Sequence, residues 1–301
     1  MKQVRVTQSM LSNQMLRNLR SNNERMQNYQ EMMSTGKRIN SPSDDPVGVS
    51  FAMRYEAKLE RNEQYKRNLD VARSLLDASD SAISKVNTIF QRARELAVQG
   101  ANDPVPPEAK ANIAAEIEQL YSELVNVANT RFNGKSIFNG QMTDQDPYTE
   151  ANAQNESADT HDIVIAAADG ANIVVNISGQ SVFGKPVGQE SDNAFAVLQD
   201  LKNSLLANDS QTTSATIGRI DSRLDKIHRA WADVGARSNR VDLVRNRVEE
   251  ASISLTKLSS DTIDADMAEV ITNFKMQENV YRASLGTGAR VIQPSLVDFL
   301  R

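Results

Sequence analysis

LDVARSLLDASDSAISKVNTIFQRARELA, residues 69–97, decides the fold. Within it Leu69, Ala72, Leu76, Ser79, Ile83, Val86, Phe90, Ala93 and Ala97 follow one another in alternating steps of three and four. That 3.5-residue repeat puts every member on one stripe of a helix, the seam of a coiled coil, with one small polar interruption at Ser79. The seam thins to alanine at its end, where a partner backbone can come close. Upstream, Asp45 is placed to cap the helix and Pro46 to take its first position. Downstream, Gly100, followed by Asp103 and Pro104, stops it. About 55 residues rising ~1.5 Å each make a rod of roughly 80 Å, too long for a globular core and suited to something elongated.

A second helix is expected over 107–129, where Ile113, Ile117, Leu120, Leu124 and Val127 keep the same spacing. The connection GANDPVPPE is short, so this helix folds back antiparallel. The rhythm returns at Ile217, Ile220, Leu224, Ile227, Trp231 and Val234, shifts near 235–239, and resumes at Val241, Val248 and Leu255. Both strong stretches need apolar partners and are expected to supply each other. Between them, Asn133-Gly134 and Asp169-Gly170 sit between short strand-like flanks and mark two hairpins. A short helix near 193–207 leads back to the bundle. The fold class is therefore mainly α: an elongated antiparallel helical bundle or coiled coil with a small β-rich insertion. The bundle and its hairpin take 41–140 and 211–265, and the insertion takes 141–210.

The two ends, 1–40 and 266–301, behave alike. Met15, Leu19, Asn22, Met26, Tyr29 and Met33 form one stripe; Met267, Ile271, Phe274, Glu278, Tyr281, Leu285, Gly288 and Ile292 form another. Polar or glycine positions interrupt each. A lone amphipathic helix gains too little in water to stand alone. The ends are expected to pair with each other or with copies of themselves on neighbouring molecules; docking on the bundle of their own chain is the alternative.

Composition agrees. Hydrophobic residues make up 40 % and aromatics only 5 %, which suits thin helical bundles. The net charge of -5 is unevenly spread: residues 1–40 carry seven Lys or Arg against two acids, and residues 141–210 eleven acids against two Lys. There is no Cys, which removes disulfides, thiolate catalysis and Cys-based zinc sites. The start, MKQVRVTQSMLSNQM, has no apolar core of signal-peptide length, and no run reaches transmembrane length, so membrane insertion is not expected.

No catalytic or cofactor-binding set assembles. His161 and His228 lie in different regions without ligand spacing. Asp144, Asp146 and Glu150 lack the glycine of a calcium loop. Asp44 and Asp45, and Asp266 with Glu269, stand before helices, where capping is their ordinary duty. Gly286-Thr287-Gly288 lacks the strand of a phosphate loop. The basic first 40 residues have no aromatic stacking partners beyond Tyr29 and alternate with an apolar stripe, which argues against nucleic acid.

Three separated motifs carry a resemblance. Gly36-Lys37-Arg38-Ile39-Asn40-Ser41-Pro42-Ser43-Asp44-Asp45-Pro46-Val47-Gly48 resembles the signature of the flagellin family, where Gly-x-Arg-Ile-Asn is followed by Asp-Asp and a glycine. Its Arg38, Asn40, Asp44 and Asp45 match as a linker motif. Asn129-Thr130-Arg131-Phe132-Asn133-Gly134-Lys135 resembles that family's hairpin, and the segment from Gln277 through Leu300 resembles its C-terminal end. The likeness covers the chain outside 141–210. Filament subunits of the family usually open with an Ile-Asn-x-Asn segment and close in Leu-Leu-x-Leu. Arg5-Val6-Thr7-Gln8-Ser9-Met10 and Pro294-Ser295-Leu296-Val297-Asp298-Phe299-Leu300 instead resemble the branch that joins hook to filament.

The resemblance implies a non-enzymatic building block of the bacterial flagellum with no cofactor. Its terminal helices would form an inner coiled-coil layer of a tube and be disordered in the free monomer, with the insertion pointing outward. It would be exported unfolded through the flagellum's own type III channel. The implied partners are further copies of itself, hook-associated protein 1, flagellin, and a cytoplasmic export chaperone at the C-terminal segment. A filament subunit and a coiled-coil secreted protein of another secretion system remain the alternatives.

Overall fold

The computed structural model describes residues 8–102 and 106–292. In chain order it contains α1 (Gln8–Thr35), α2 (Pro46–Ala101), α3 (Pro107–Ala128), β1 (Arg131–Phe132), β2 (Lys135–Ser136), β3 (Val164–Ala168), β4 (Ala171–Val174), α4 (Gly179–Phe183), α5 (Ala194–Leu206), α6 (Ser210–Ile263) and α7 (Met267–Ile292). Arg5, Val6 and Thr7, the stop signal at Asp103 and Pro104, and the segment 294–300 lie outside the described residues. Two compact units emerge: 8–61 with 252–292, and 62–251.

The seam of α2 organises the second unit. All nine positions from Leu69 to Ala97 are at most 1 % exposed. Ser79 enters the seam without an orphaned hydroxyl, because its Oγ donates to the Leu75 carbonyl at 2.9 Å. α6 lies antiparallel beside it, as the flanking pairs show: Arg73 with Asp242, His228 with Asn87, and Arg94 with Asp221. Trp231 Nε1 donates to Asp80 on the same flank. Positions 73, 80, 87 and 94 recur every seven residues, so the ladder fixes register along the rim of the coiled coil. The pairs are exposed and contribute little stability each.

One sequence expectation is corrected in α6. Ile220, Ile227, Val234, Val241 and Val248 are all buried, at unbroken steps of seven. There is no shift at 235–239. Arg237, half-buried there, reaches Asp233 and the carbonyl of the buried Asn176. The polar Ser238 at the seam position between Val234 and Val241 looks like a break in hydropathy while leaving the helix unbroken.

The 141–210 segment, read as mostly β, contains a single two-stranded hairpin, β3–β4, a short helix α4, and α5, the helix expected near 193–207. Its buried side chains belong to one core with the bundle. The chain's sparse aromatics gather there: Phe183 lies 5.2 Å from Phe138, 5.5 Å from Tyr148 and 5.5 Å from Phe195, measured between ring centres. Tyr121 of α3 meets Phe195 edge-on at 6.2 Å. Periodicity could not reveal this cluster, because its members come from loops and short helices.

Arg223 of α6 is 1 % exposed and ties the 184–193 loop to the helix. Its guanidinium donates to the Asp192 carbonyl (2.6 Å) and carboxylate (2.9 Å) and to Glu190 (3.1 Å). Lys226 joins both acids, and Ser222 donates to Asp192 at 2.7 Å. Burial alone would raise both carboxyls. Lys226 and Arg223, with Ser222 on Asp192 and the Lys185 amide on Glu190, more than offset it and hold both below their ordinary values. Burial likewise opposes the charge of Lys226, but hydrogen bonds to Asp192 and Glu190 raise its pKa overall. Depressed carboxyls stabilise the fold above their unfolded pKa and lose that contribution as pH falls through the folded value; the raised amine works below its unfolded pKa and fails as pH rises past the folded one. The cluster therefore stabilises the fold between about pH 4 and pH 10. Thermal unfolding should move to lower temperature below about pH 4. Asp192→Asn should start lower at neutral pH and show a shallower acid decline; equal slopes for variant and parent would contradict the assignment.

Candidate assembly interface

The 36–48 motif is a backbone joint. Gly36 ends α1 in the left-handed region (φ +71°), its N–H donating to the Met32 carbonyl at 2.9 Å. The joint is then laced to the α6–α7 linker: the Arg38 N–H donates to the Ile263 carbonyl (2.7 Å) and the Ala265 N–H to the Gly36 carbonyl (3.0 Å). The Arg38 guanidinium also reaches the Thr262 carbonyl at 2.8 Å. Asp44 accepts from the Asn40 and Ser41 amides at 3.1 and 2.8 Å, and Asn40 donates to the Lys37 carbonyl at 3.1 Å. Asp45 caps α2 as its position suggests, accepting from Val47 (3.1 Å) and Gly48 (2.9 Å). A Cβ on Gly48 would stand 2.5 Å from Ile39 Cδ1, so glycine is what lets Ile39 lie against the helix. Asp45→Ala should destabilise the first turn of α2 by about 1 kcal/mol, read as faster amide exchange at 47–50; unchanged exchange would show that the cap is idle.

α1 and α7 pack against each other. The pairing is antiparallel: Asn22 meets Gln277, and Met15 lies so close to Gly288 that a Cβ there would overlap its Cε at 1.4 Å. On α1, Met15, Leu19, Met26, Tyr29 and Met33 are half-buried around a buried Asn22. That is the stripe its sequence defines. On α7 the packed stripe is Val270, Phe274, Gln277, Tyr281, Ser284 and Gly288. Phe274 and Tyr281 belong to both this set and the sequence-defined one. Met267, Ile271 and Leu285 instead stand 38 %, 44 % and 47 % exposed, forming an apolar shoulder beside the seam. The side chain of Ile292 lies outside the described residues.

Three seam residues, Val270, Gln277 and Ser284, were not singled out by hydropathy. Two of them are polar, and their signal was only their spacing of seven. Gln277 Nε2 donates to Asn22 Oδ1 (3.3 Å) and to the Asn22 carbonyl (3.4 Å). Asn22 Nδ2 donates to Ser284 Oγ at 3.2 Å. On the shoulder, Glu278 is held below the usual carboxylate range, first by its hydrogen bond from Lys275 and then by Arg282.

Among the described residues no group of three His, Asp or Glu could hold a metal ion, and no helix is long and apolar enough to cross a membrane. His161 pairs with Asp159, and that hydrogen bond is the main cause holding the Asp159 carboxyl at about 2.

Residues 6–143 match the bacterial flagellin N-terminal helical region, and residues 217–300 the bacterial flagellin C-terminal helical region. The chain is 31 % identical to flagellin of Listeria innocua, covering 83 % of this chain and 82 % of that one. It is 27 % identical to flagellar hook-associated protein 3 of Escherichia coli, covering 93 % of this chain and 95 % of that one. Among solved structures, flagellar hook-associated protein 3 of Legionella pneumophila shares the fold, with a TM-score of 0.59 at 17 % identity over 70 % of this chain and 97 % of that one.

Proposed function

The chain belongs to the flagellin family, and from that premise we propose that it is the structural subunit joining the flagellar hook to the filament. The observation that carries this reading is the match to Escherichia coli hook-associated protein 3 over 93 % of this chain and 95 % of that one. The role is structural and not enzymatic.

In this reading the chain works outside the cell, reached by unfolded export through the flagellar type III channel with a chaperone on its C-terminal segment. It assembles with further copies of itself, between hook-associated protein 1 and the first flagellins. The exposed shoulder Met267, Ile271 and Leu285 supports a surface that neighbours cover. Because an isolated helix pair with half-buried methionines is only marginally stable, the α1–α7 pair gains much of its stability from neighbours on assembly, which couples its ordering to joining the tube. Head-to-tail contacts of this kind build rings or helical layers.

Electron microscopy of cells lacking the gene tests the reading. Hooks without filaments, with flagellin shed into the medium, are the expected result. Hooks that still carry normal filaments would overturn it, and loss of filament protein itself would favour a filament subunit.

A further inference from the structure

We propose that Asn22, Gln277 and Ser284 form a register lock that sets which turn of α7 faces which turn of α1. The inference deepens the assembly reading and rests on it for its consequence, though not for its geometry.

The Gly36–Ala265 joint holds the two helices at one end, but both repeat with a 3.5-residue period, so whenever that joint opens, sliding one past the other by seven residues again opposes stripe to stripe. The apolar members give weak discrimination. Met15, Met26 and Met33 are unbranched and adapt to many surroundings, and Leu19 and Tyr29 are only half-buried. The polar members discriminate. Asn22 and Gln277 are both buried, and three hydrogen bonds meet at their level: two from Gln277 to Asn22 and one from Asn22 to Ser284. Arg25 adds a fourth to Asn22 Oδ1 at 3.0 Å from within α1. A slip of seven would bring Gln277 against Met15 or Tyr29, neither of which replaces the amide partner it loses. Buried amides left unpaired disfavour the slipped registers more strongly than the paired ones favour the native one. Gly288 against Met15 acts in the same sense, because only glycine leaves space for the methionine.

The lock has a use in assembly. Every copy must present the Met267, Ile271 and Leu285 shoulder at one height, or the repeat along the tube is lost. A seam of leucines alone would hold harder but in several registers.

The chain has no cysteine, so an introduced pair reports without background. Met15→Cys with Gly288→Cys reads the native register, and Met15→Cys with Tyr281→Cys reads the register slipped by one heptad. Oxidative cross-linking is measured on the soluble full chain and on flagella from cells complemented with each variant. The native pair should cross-link at least about ten-fold faster than the slipped pair, the ratio that one unpaired buried amide produces. Adding Asn22→Leu and Gln277→Leu should bring the ratio to about three or less, with amide exchange of α1 and α7 no faster than in the parent. An unchanged ratio, no preference in the parent seam, or faster exchange in the leucine background would each overturn the lock. If the chain never enters flagella, the assembly reading fails while the soluble ratio still decides the register.

Discussion

Flagella should contain no Met26→Asp chain, while the unit at 62–251 unfolds at its parental temperature. Met26 sits in the α1 stripe one turn from Asn22, facing α7. Met26 is half-buried, and a carboxylate at such a seam position disfavours the packed state by about 1–3 kcal/mol. That exceeds what a marginal helix pair can absorb. The 62–251 unit has its own core and should not register the change. Leu285→Asp separates the two faces of α7. Leu285 is 47 % exposed, so the charge is solvated in the isolated chain and the α1–α7 pair survives. Loss of incorporation by this variant would therefore report the shoulder and not the seam. Normal filaments in both strains, counted by electron microscopy, would show that these helices do not build the contacts proposed.

Phe183→Ala should lower the unfolding temperature of the same unit by roughly 10 °C. The ring is fully buried between Phe138, Tyr148 and Phe195. Removing a buried phenylalanine typically destabilises by about 3–5 kcal/mol, from lost transfer and from the cavity left behind. This site should fall at the high end, because its neighbours are aromatic rings that cannot collapse into the space. Small domains hold only about 5–15 kcal/mol in total, so the variant uses a large share. The effect also tests the architecture. If 141–210 packed independently of the helices, calorimetry would show a separate early transition. One shifted transition is expected, since Phe183 and the α2 seam belong to a single core.

Each kind of structure differed in how far it could be read in advance. The α2 seam was fully legible: nine positions at 3.5-residue spacing became nine buried positions, because a long helix exposes any other arrangement to water. The hairpins at Asn133-Gly134 and Asp169-Gly170 were legible for a local reason. A tight turn needs positive φ, and Asn133 (φ 50°), Gly134 (φ 78°) and Gly170 (φ 71°) adopt it. The cap at Asp45 followed from the same kind of short-range chemistry.

Long-range pairing was not legible. Nothing local distinguished Asp192 as the partner of Arg223, 31 residues away, or placed both in the interior. Hydropathy read a shift over 235–239 in α6, where the seam in fact runs on unbroken from Val234 to Val241. On α7, apolar spacing drew one stripe through Met267, Ile271, Phe274, Tyr281 and Leu285, whereas the packed face runs through Val270, Phe274, Gln277, Tyr281, Ser284 and Gly288.

The amino-acid sequence by itself determined the long helices, the cap at Asp45, the two hairpin turns and the family to which the chain belongs, because those depend on periodicity and on neighbours a few residues apart. Only the tertiary structure decided which face of α7 meets α1, where the aromatic rings gather and how the buried ions pair. Those outcomes depend on which distant groups can satisfy one another's hydrogen bonds once water is excluded, and a buried Gln277 or Arg223 reads as a surface residue until its partner is in place.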